Sequence, residues 1–361
     1  MTIVGIDHLH FYVKDVRAWS RWFQEVWAFH LRGERQTADT LSHWLQHRSI
    51  HLVLSQALNN KGVVATYLED HPQGLVDVAL QVAAAVKIYS YLWQHNQTVT
   101  WLYASETLQH LQLRLPFAQS EQAPLGFHHS LIERHGEKTP ILPGFTLAEN
   151  MDPLVESTAL PSFTHIDHVV LNVPSSQLHP VSTWYQKILH WEPRFRYQVS
   201  TARSGLNSTV LCPASSALQL AINEPVGSNS QIEEFIQANG GPGIQHVALH
   251  TAQIGGTVAH LRQRGVAFLT VPSTYYASLA HLPKGFTSTD LASLQLLVDQ
   301  PDPLFPDQEL LQTFTQPLFP EPTFFFEVIQ RNHNARGFGE RNFQALFEAV
   351  ERQQQERTSQ I

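Results

Sequence analysis

The chain contains its own framework twice. Residues 5–29 read GIDHLHFYVKDVRAWSRWFQEVWAF and residues 165–191 read HIDHVVLNVPSSQLHPVSTWYQKILHW. Both open on Ile-Asp-His, run on as a strand-like stretch that closes on Val, and then enter an amphipathic helix. Trp22-Phe23 falls on Trp184-Tyr185, with two more residues in the second copy. Further on, GLVDVALQV (74–82) matches GIQHVALHT (243–251), and HSLIER (129–134) matches FEVIQR (326–331). A repeat of this length constrains the fold strongly, because each copy must build the same supersecondary unit.

Within each copy, strand-like runs alternate with helices in a β-α-β-β-β order. The clearest helices of the second half are expected at 231–238 and 255–264. No glycine-rich phosphate loop follows a strand, so a doubly wound nucleotide fold lacks its usual support. The expected class is α+β, with two open barrels built from β-α-β-β-β modules, each a curved, mainly antiparallel sheet around a cavity. Residues 1–135 and 161–361 are expected to form the two domains. Between them, 136–160 is rich in proline, glycine and acidic residues and reads as a linker.

Composition narrows the function. Apolar residues make up 43% and charged residues 15%, enough for a sizeable core and unlike a disordered chain. The net charge of −8, without a Lys/Arg run, speaks against nucleic acid or an anionic membrane as partner. No stretch approaches the ~20 apolar residues of a spanning helix, and the N-terminus lacks a secretory pattern. The single cysteine, Cys212, fits a reducing compartment and reads as a small apolar residue, so a cytoplasmic location is expected.

The duplication also provides an internal comparison of chemistry. His8 corresponds to His168, but Asp77 stands where the second copy has His246, and Ser130 where it has Glu327. Only the C-terminal copy therefore carries two histidines and a carboxylate at the three strand positions. That donor set, with positions left open, is the facial arrangement of non-haem iron(II) oxygenases. The other histidines of the 21 need separate reasons: there is no HExxH pattern, and the neighbours His128 and His129 point to opposite faces of a strand. Alternation places Phe325 beside Glu327, Phe314 beside Gln312, and Ala221 beside Asn223 on shared faces. Polar groups converging among aromatic ones describe a small-molecule cavity.

In its C-terminal half the chain resembles the 4-hydroxyphenylpyruvate dioxygenase family. The motifs are GLNSTVL (205–211), INEP (222–225), SQIEEF (230–235), GGPGIQHVALHT (240–251), FLTVPSTYYASL (268–279), LLQTFT (310–315), FFFEVIQR (324–331) and GFGERNF (337–343). The resemblance implies a vicinal-oxygen-chelate fold with Fe(II) held by His168, His246 and Glu327. It also implies that Ser208, Asn223, Gln231, Gln245, Gln312 and Asn342 serve the substrate, between walls formed by Phe314, Phe325, Phe338 and Phe343. The implied reaction takes 4-hydroxyphenylpyruvate and O2 to homogentisate and CO2. This is a step of tyrosine catabolism that also supplies plastoquinone and tocopherol precursors. A homo-oligomer is implied, as is a lid formed by a helix over 342–355, whose apolar stripe equally suits core packing. Alternatives on the same fold are side-chain hydroxylation of the same substrate, as in hydroxymandelate synthase, an extradiol catechol dioxygenase, or a binding protein without catalysis. Departures from the family pattern are Ala221 where proline is usual, Arg341 in place of a glycine, and a proline-rich loop at 301–309.

Overall fold

The computed structural model of the protein describes residues 1–117, 126–135, 141–148, 161–200, 205–227, 230–279, 281–299, 308–339, 342 and 345. Four modules of one strand, a helical connection and three strands follow one another. The first comprises β1 (Ile3–Tyr12), α1 (Val16–Trp27), β2 (His30–Gln36), β3 (Thr40–His47) and β4 (Ile50–Ala57). Helix α2 (Gly62–Asp70) leads to β5 (Gly74–Val82), α3 (Ala85–Gln94), β6 (Val99–Ala104), β7 (Leu108–Arg114) and β8 (His128–Arg134). A short β9 (Thr146–Leu147), within the stretch read as a linker, pairs back onto β2.

The second half repeats this order. Its first module has β10 (Phe163–Asn172), α4 (Leu178–Ile188), β11 (Trp191–Ser200), β12 (Gly205–Pro213) and β13 (Gln219–Val226). Then come α5 (Gln231–Asn239), β14 (Gly243–Thr251), α6 (Ile254–Gln263), α7 (Ser273–Ala277), α8 (Ser288–Leu294), β15 (Leu297–Asp299), β16 (Leu310–Phe314) and β17 (Phe325–Arg331). The two helices expected from sequence are α5 and α6, within a residue at each end.

Each half forms one sheet. The order is β6-β7-β8-β5-β1-β4-β3-β2-β9 in the first and β11-β12-β13-β10-β14-β17-β16-β15 in the second. The modules join through their first strands, β1 against β5 and β10 against β14, both antiparallel. Each first strand is parallel to the last strand of its own module, as β14 is to β17. Three register shifts recur at matching places in both copies, the first of them near the start of β1 and β10. Between Ile166 and His168 the β10 ladder gains Asp167, and between Ile244 and His246 the β14 ladder gains Gln245. Asp7 and Val76 are the extra residues of the first copy. A bulge breaks the two-residue alternation and re-aims a side chain.

Helices close the outer faces. Asp15 caps α1 by accepting from the Ala18 N–H at 2.9 Å, and the helix buries Val16, Phe23, Val26 and Trp27. Ser230 caps α5, Glu233 and Glu234 sit in its first turn, and Gly240 ends it at φ 72°, a left-handed conformation suited to glycine. A shared apolar core runs between the halves: Trp27 stacks on Phe163 at 5.6 Å, and Phe11 meets Phe324 edge-on at 5.1 Å. His129 lies in this seam, with Nε2 2.9 Å from the Tyr185 hydroxyl, while its neighbour His128 lines the first barrel's cavity. Cys212 is buried. Among the described residues no helix is long and apolar enough to cross a membrane.

Candidate active site

Three adjacent strands of the second sheet deliver the metal-binding side chains. Ala248 on β14 pairs with His168 on β10 at one side and with Glu327 on β17 at the other. His246 precedes Ala248 by two residues and therefore projects from the same face. A methyl group between two longer side chains leaves the space in which they converge, and Ala248 is wholly buried. His168 Nε2 lies 3.2 Å and His246 Nε2 3.6 Å from Glu327 Oε2. One ligand atom from each of the three residues falls within 4.8 Å of the others.

The electrostatics of this cluster call for a cation. Glu327 is buried, and its Oε1 has no hydrogen-bond partner. Burial pushes the Glu327 carboxyl up, partly offset by His168. Burial works against a charged His168, but Glu327 and Asp167 outweigh it and raise the imidazole to about 9. His246 is driven well down by burial and by His168 beside it, so it offers a neutral ring nitrogen. Two imidazoles and one carboxylate with an unused oxygen fit a divalent metal, which would replace the proton that His168 and Glu327 share.

Both histidines are oriented from behind. His168 Nδ1 is 2.8 Å from Asp167 Oδ1, and Arg331 grips the same carboxylate with two bonds of 2.7 Å. That grip holds Asp167 far below the usual carboxylate range despite its burial. Arg331 also donates to the carbonyls of Ala335 and Gly337, tying the segment that carries Phe338 to the metal strands. His246 Nδ1 is 3.2 Å from Gln245 Oε1. The bulges put Asp167 and Gln245 beside the histidines they precede, a reach that strict alternation would deny.

A cavity opens over the triad, with Phe314, Phe325 and Phe338 on its wall. Phe325 stacks on His246 at 4.8 Å, and Phe338 sets its edge against His168 at 4.8 Å. Polar groups share the wall: Ser208 and Asn223 pair across β12 and β13, and Gln231, Gln245 and Gln312 join them. Gln312 Oε1 is buried with no partner. Gly339, at φ 76°, passes so close that a Cβ there would collide with the Gln312 amide.

Of the residues expected from sequence, Asn342 is not on the cavity wall. It is buried, and its Oδ1 accepts a 2.9 Å hydrogen bond from the Tyr275 hydroxyl, which in turn bonds to Val298 of β15. Phe343, Arg341 and the expected lid helix over 342–355 lie outside the described residues, except for positions 342 and 345. Sequence reasoning missed Tyr197, Leu206, Val210 and Ile232 on the wall, and the Asp167–Arg331 pair behind it. The pair had a signal: both copies begin Ile-Asp-His and close their last strand on arginine.

Comparison with known proteins agrees with this geometry. Residues 165–282 match the Glyoxalase/Bleomycin resistance protein/Dioxygenase superfamily. A 4-hydroxyphenylpyruvate dioxygenase of Dictyostelium discoideum is 34% identical over 98% of this chain and 99% of its own length. The chain belongs to the 4-hydroxyphenylpyruvate dioxygenase family. It is thus a metal-binding oxidoreductase of the dioxygenase type, on the vicinal-oxygen-chelate fold. Within this family's reach lie two further relatives. An uncharacterised Synechocystis protein is 35% identical over 96% of both chains. The structure of a 4-hydroxymandelate synthase mutant from Streptomyces coelicolor has a TM-score of 0.83 and 25% identity, covering 98% of this chain and 100% of that one.

Proposed function

We propose that the protein is an iron(II)-dependent enzyme converting 4-hydroxyphenylpyruvate and O2 to homogentisate and CO2. The observation behind this reading is the buried face of two imidazoles and one carboxylate, opening onto a cavity with aromatic walls and amide side chains. An aromatic 2-oxo acid suits such a cavity at both ends. His168, His246 and Glu327 hold iron on one face, and bound iron would supply the activation of oxygen and of the 2-oxo acid.

The chain's own residues bind and orient. Phe314, Phe325 and Phe338 sandwich the ring and keep water from the reacting end. Ser208, Asn223, Gln231, Gln245 and Gln312 provide hydrogen bonds for the phenol and the acid. The unpartnered Gln312 oxygen is available as an acceptor. Asp167, clamped by Arg331, keeps His168 in one orientation while its Nε2 faces the metal. Working assignments for the whole chain are a first barrel over 1–135, a linker over 136–160, a catalytic barrel over 161–361, a cytoplasmic setting and a homo-oligomer.

A second reading follows from the likeness to the 4-hydroxymandelate synthase structure: the same substrate and metal, with hydroxylation of the side chain instead of the ring. Anaerobic loading with Fe(II), addition of 4-hydroxyphenylpyruvate and O2, and chromatography of the product separate the two. Homogentisate is the expected product. Hydroxymandelate would move the protein to the second reading, and no turnover by iron-loaded protein would overturn both.

A further inference from the structure

The first barrel encloses a cavity of its own, about 370 Å³ in volume. Its lining occupies the same rows of the sheet as the catalytic cavity. Ser55 stands opposite Tyr12 as Asn223 stands opposite Asn172, and His110 pairs on β7 as Gln312 pairs on β16. Gln112 takes the place of Phe314, and His128 that of Phe325. Where one barrel has phenylalanine walls over a metal, the other has a hydrogen-bonding floor.

That floor is not built for a metal. Among the described residues, only the C-terminal triad brings three ligand atoms together. Asp77 is already engaged, accepting from the Ser130 N–H at 2.8 Å with His128 3.6 Å away. The cavity has one permanent cation on its described wall, Arg35. Its guanidinium makes a single hydrogen bond, 3.4 Å to the Pro143 carbonyl, and lies 5.6 Å from the Phe145 ring. Its Nε is buried without a partner, and among the described residues it forms no ion pair, Asp39 acting on it only through space. A half-buried guanidinium left this way is costly unless something anionic completes it. His10 Nε2 lies 2.7 Å from Ser55 Oγ and His110 Nε2 2.8 Å from Ser130 Oγ, which leaves each ring its Nδ1. Burial drives His10 down to about 3 and His110 down to about 4, so neither ring adds charge. At the mouth, Val63, Leu102 and Tyr103 leave apolar surface exposed.

From Arg35, whose Nε is buried without a partner, from the His10 and His110 rings beside it on the cavity wall and from the apolar mouth, we infer that the first barrel is a binding site for a small organic carboxylate with an apolar body. The carboxylate pairs with Arg35, oxygen substituents reach His10 and His110, and the body lies against the mouth. This site does not depend on the reaction run in the other barrel.

The test uses full-length protein and 4-bromophenylacetate, a carboxylate lacking the 2-oxo group. Bromine located by anomalous scattering in soaked crystals is expected inside the first barrel, with the carboxylate on Arg35. In solution calorimetry, Arg35→Gln is expected to weaken that binding at least tenfold and Arg35→Lys less, with kcat/KM of the enzyme unchanged. No bromine in the first barrel, or binding there unaltered by Arg35→Gln, would overturn the inference. If Arg35→Gln fails to fold, the bromine position and Arg35→Lys decide it.

Discussion

The two barrels share a skeleton and differ at two of the three positions that matter for a metal. Both keep the bulged aspartate, the following histidine and the arginine that clamps them. Asp7 lies 2.7 Å from His8 and is gripped by Arg134 at 2.6 and 2.7 Å, just as Asp167 is gripped by Arg331. Both keep a buried alanine, Ala79 or Ala248, between the converging rows. Yet Asp77 and Ser130 stand where His246 and Glu327 complete a metal site. The clamp therefore stands in both copies, including the one where no triad exists. A side chain that looks like support for a ligand can owe its presence to the sheet.

The largest expected effect comes from erasing the difference. Glu327→Ala should remove bound metal and lower kcat by roughly a thousandfold, since a catalytic metal supplies several kcal/mol of transition-state stabilisation. Circular dichroism should be unchanged, because the first barrel folds with Ser130 in that row; metal analysis and turnover check this. A metal-replete, active variant would remove Glu327 from the ligand set.

Breaking the shared clamp tests whether it has one role or two. Asp7→Asn and Asp167→Asn each leave a largely buried arginine without its carboxylate, and each should cost about 3–5 kcal/mol in denaturant unfolding. Only Asp167→Asn should also weaken metal affinity, by about 10–100-fold, through the orientation of His168. Equal metal affinity in the two variants would show that the clamp does nothing for the ligand.

Acid should find the same groups. Arg134 and His8 overcome burial to depress Asp7, and Arg331 and His168 do so for Asp167, so each contributes stability at pH above its unfolded value of 3.8. That contribution, on the order of 2 kcal/mol per carboxylate, should fade as pH falls below about 4. Unfolding followed from pH 6 to pH 2 should be steep for the wild type and shallower for each asparagine variant.

The smallest effect is a partial gain. Asp77→His combined with Ser130→Glu recreates the triad rows in the first barrel around His8. Metal analysis should show a second, weaker site, because Val76 stands where Gln245 flanks His246. No added metal would mean that the rows of the two sheets differ in curvature more than their pairing suggests.

Much of this was legible from the residues. The repeats placed the four modules, and the match of Asp77 and Ser130 against His246 and Glu327 pointed to one metal site in one copy. Two-residue alternation put Phe325 and Phe314 on the faces they occupy. It failed at Gln245, which shares the cavity with its neighbour His246 because a bulge interrupts the strand. The family motif that named Asn342 carried no sign of the bond it accepts from the Tyr275 hydroxyl.

The sequence by itself determined the period of each element, the duplication, and the identity of the three residues with metal-binding chemistry. These are properties of short stretches and of their likeness to one another. Only the tertiary structure decided that Arg331 reaches back to Asp167, that Ala248 makes room for the triad, and that the first barrel buries an arginine Nε without a partner. Each of those depends on register and bulges between strands far apart in the chain, where the free energy of pairing is shared by the whole sheet rather than encoded in any one segment.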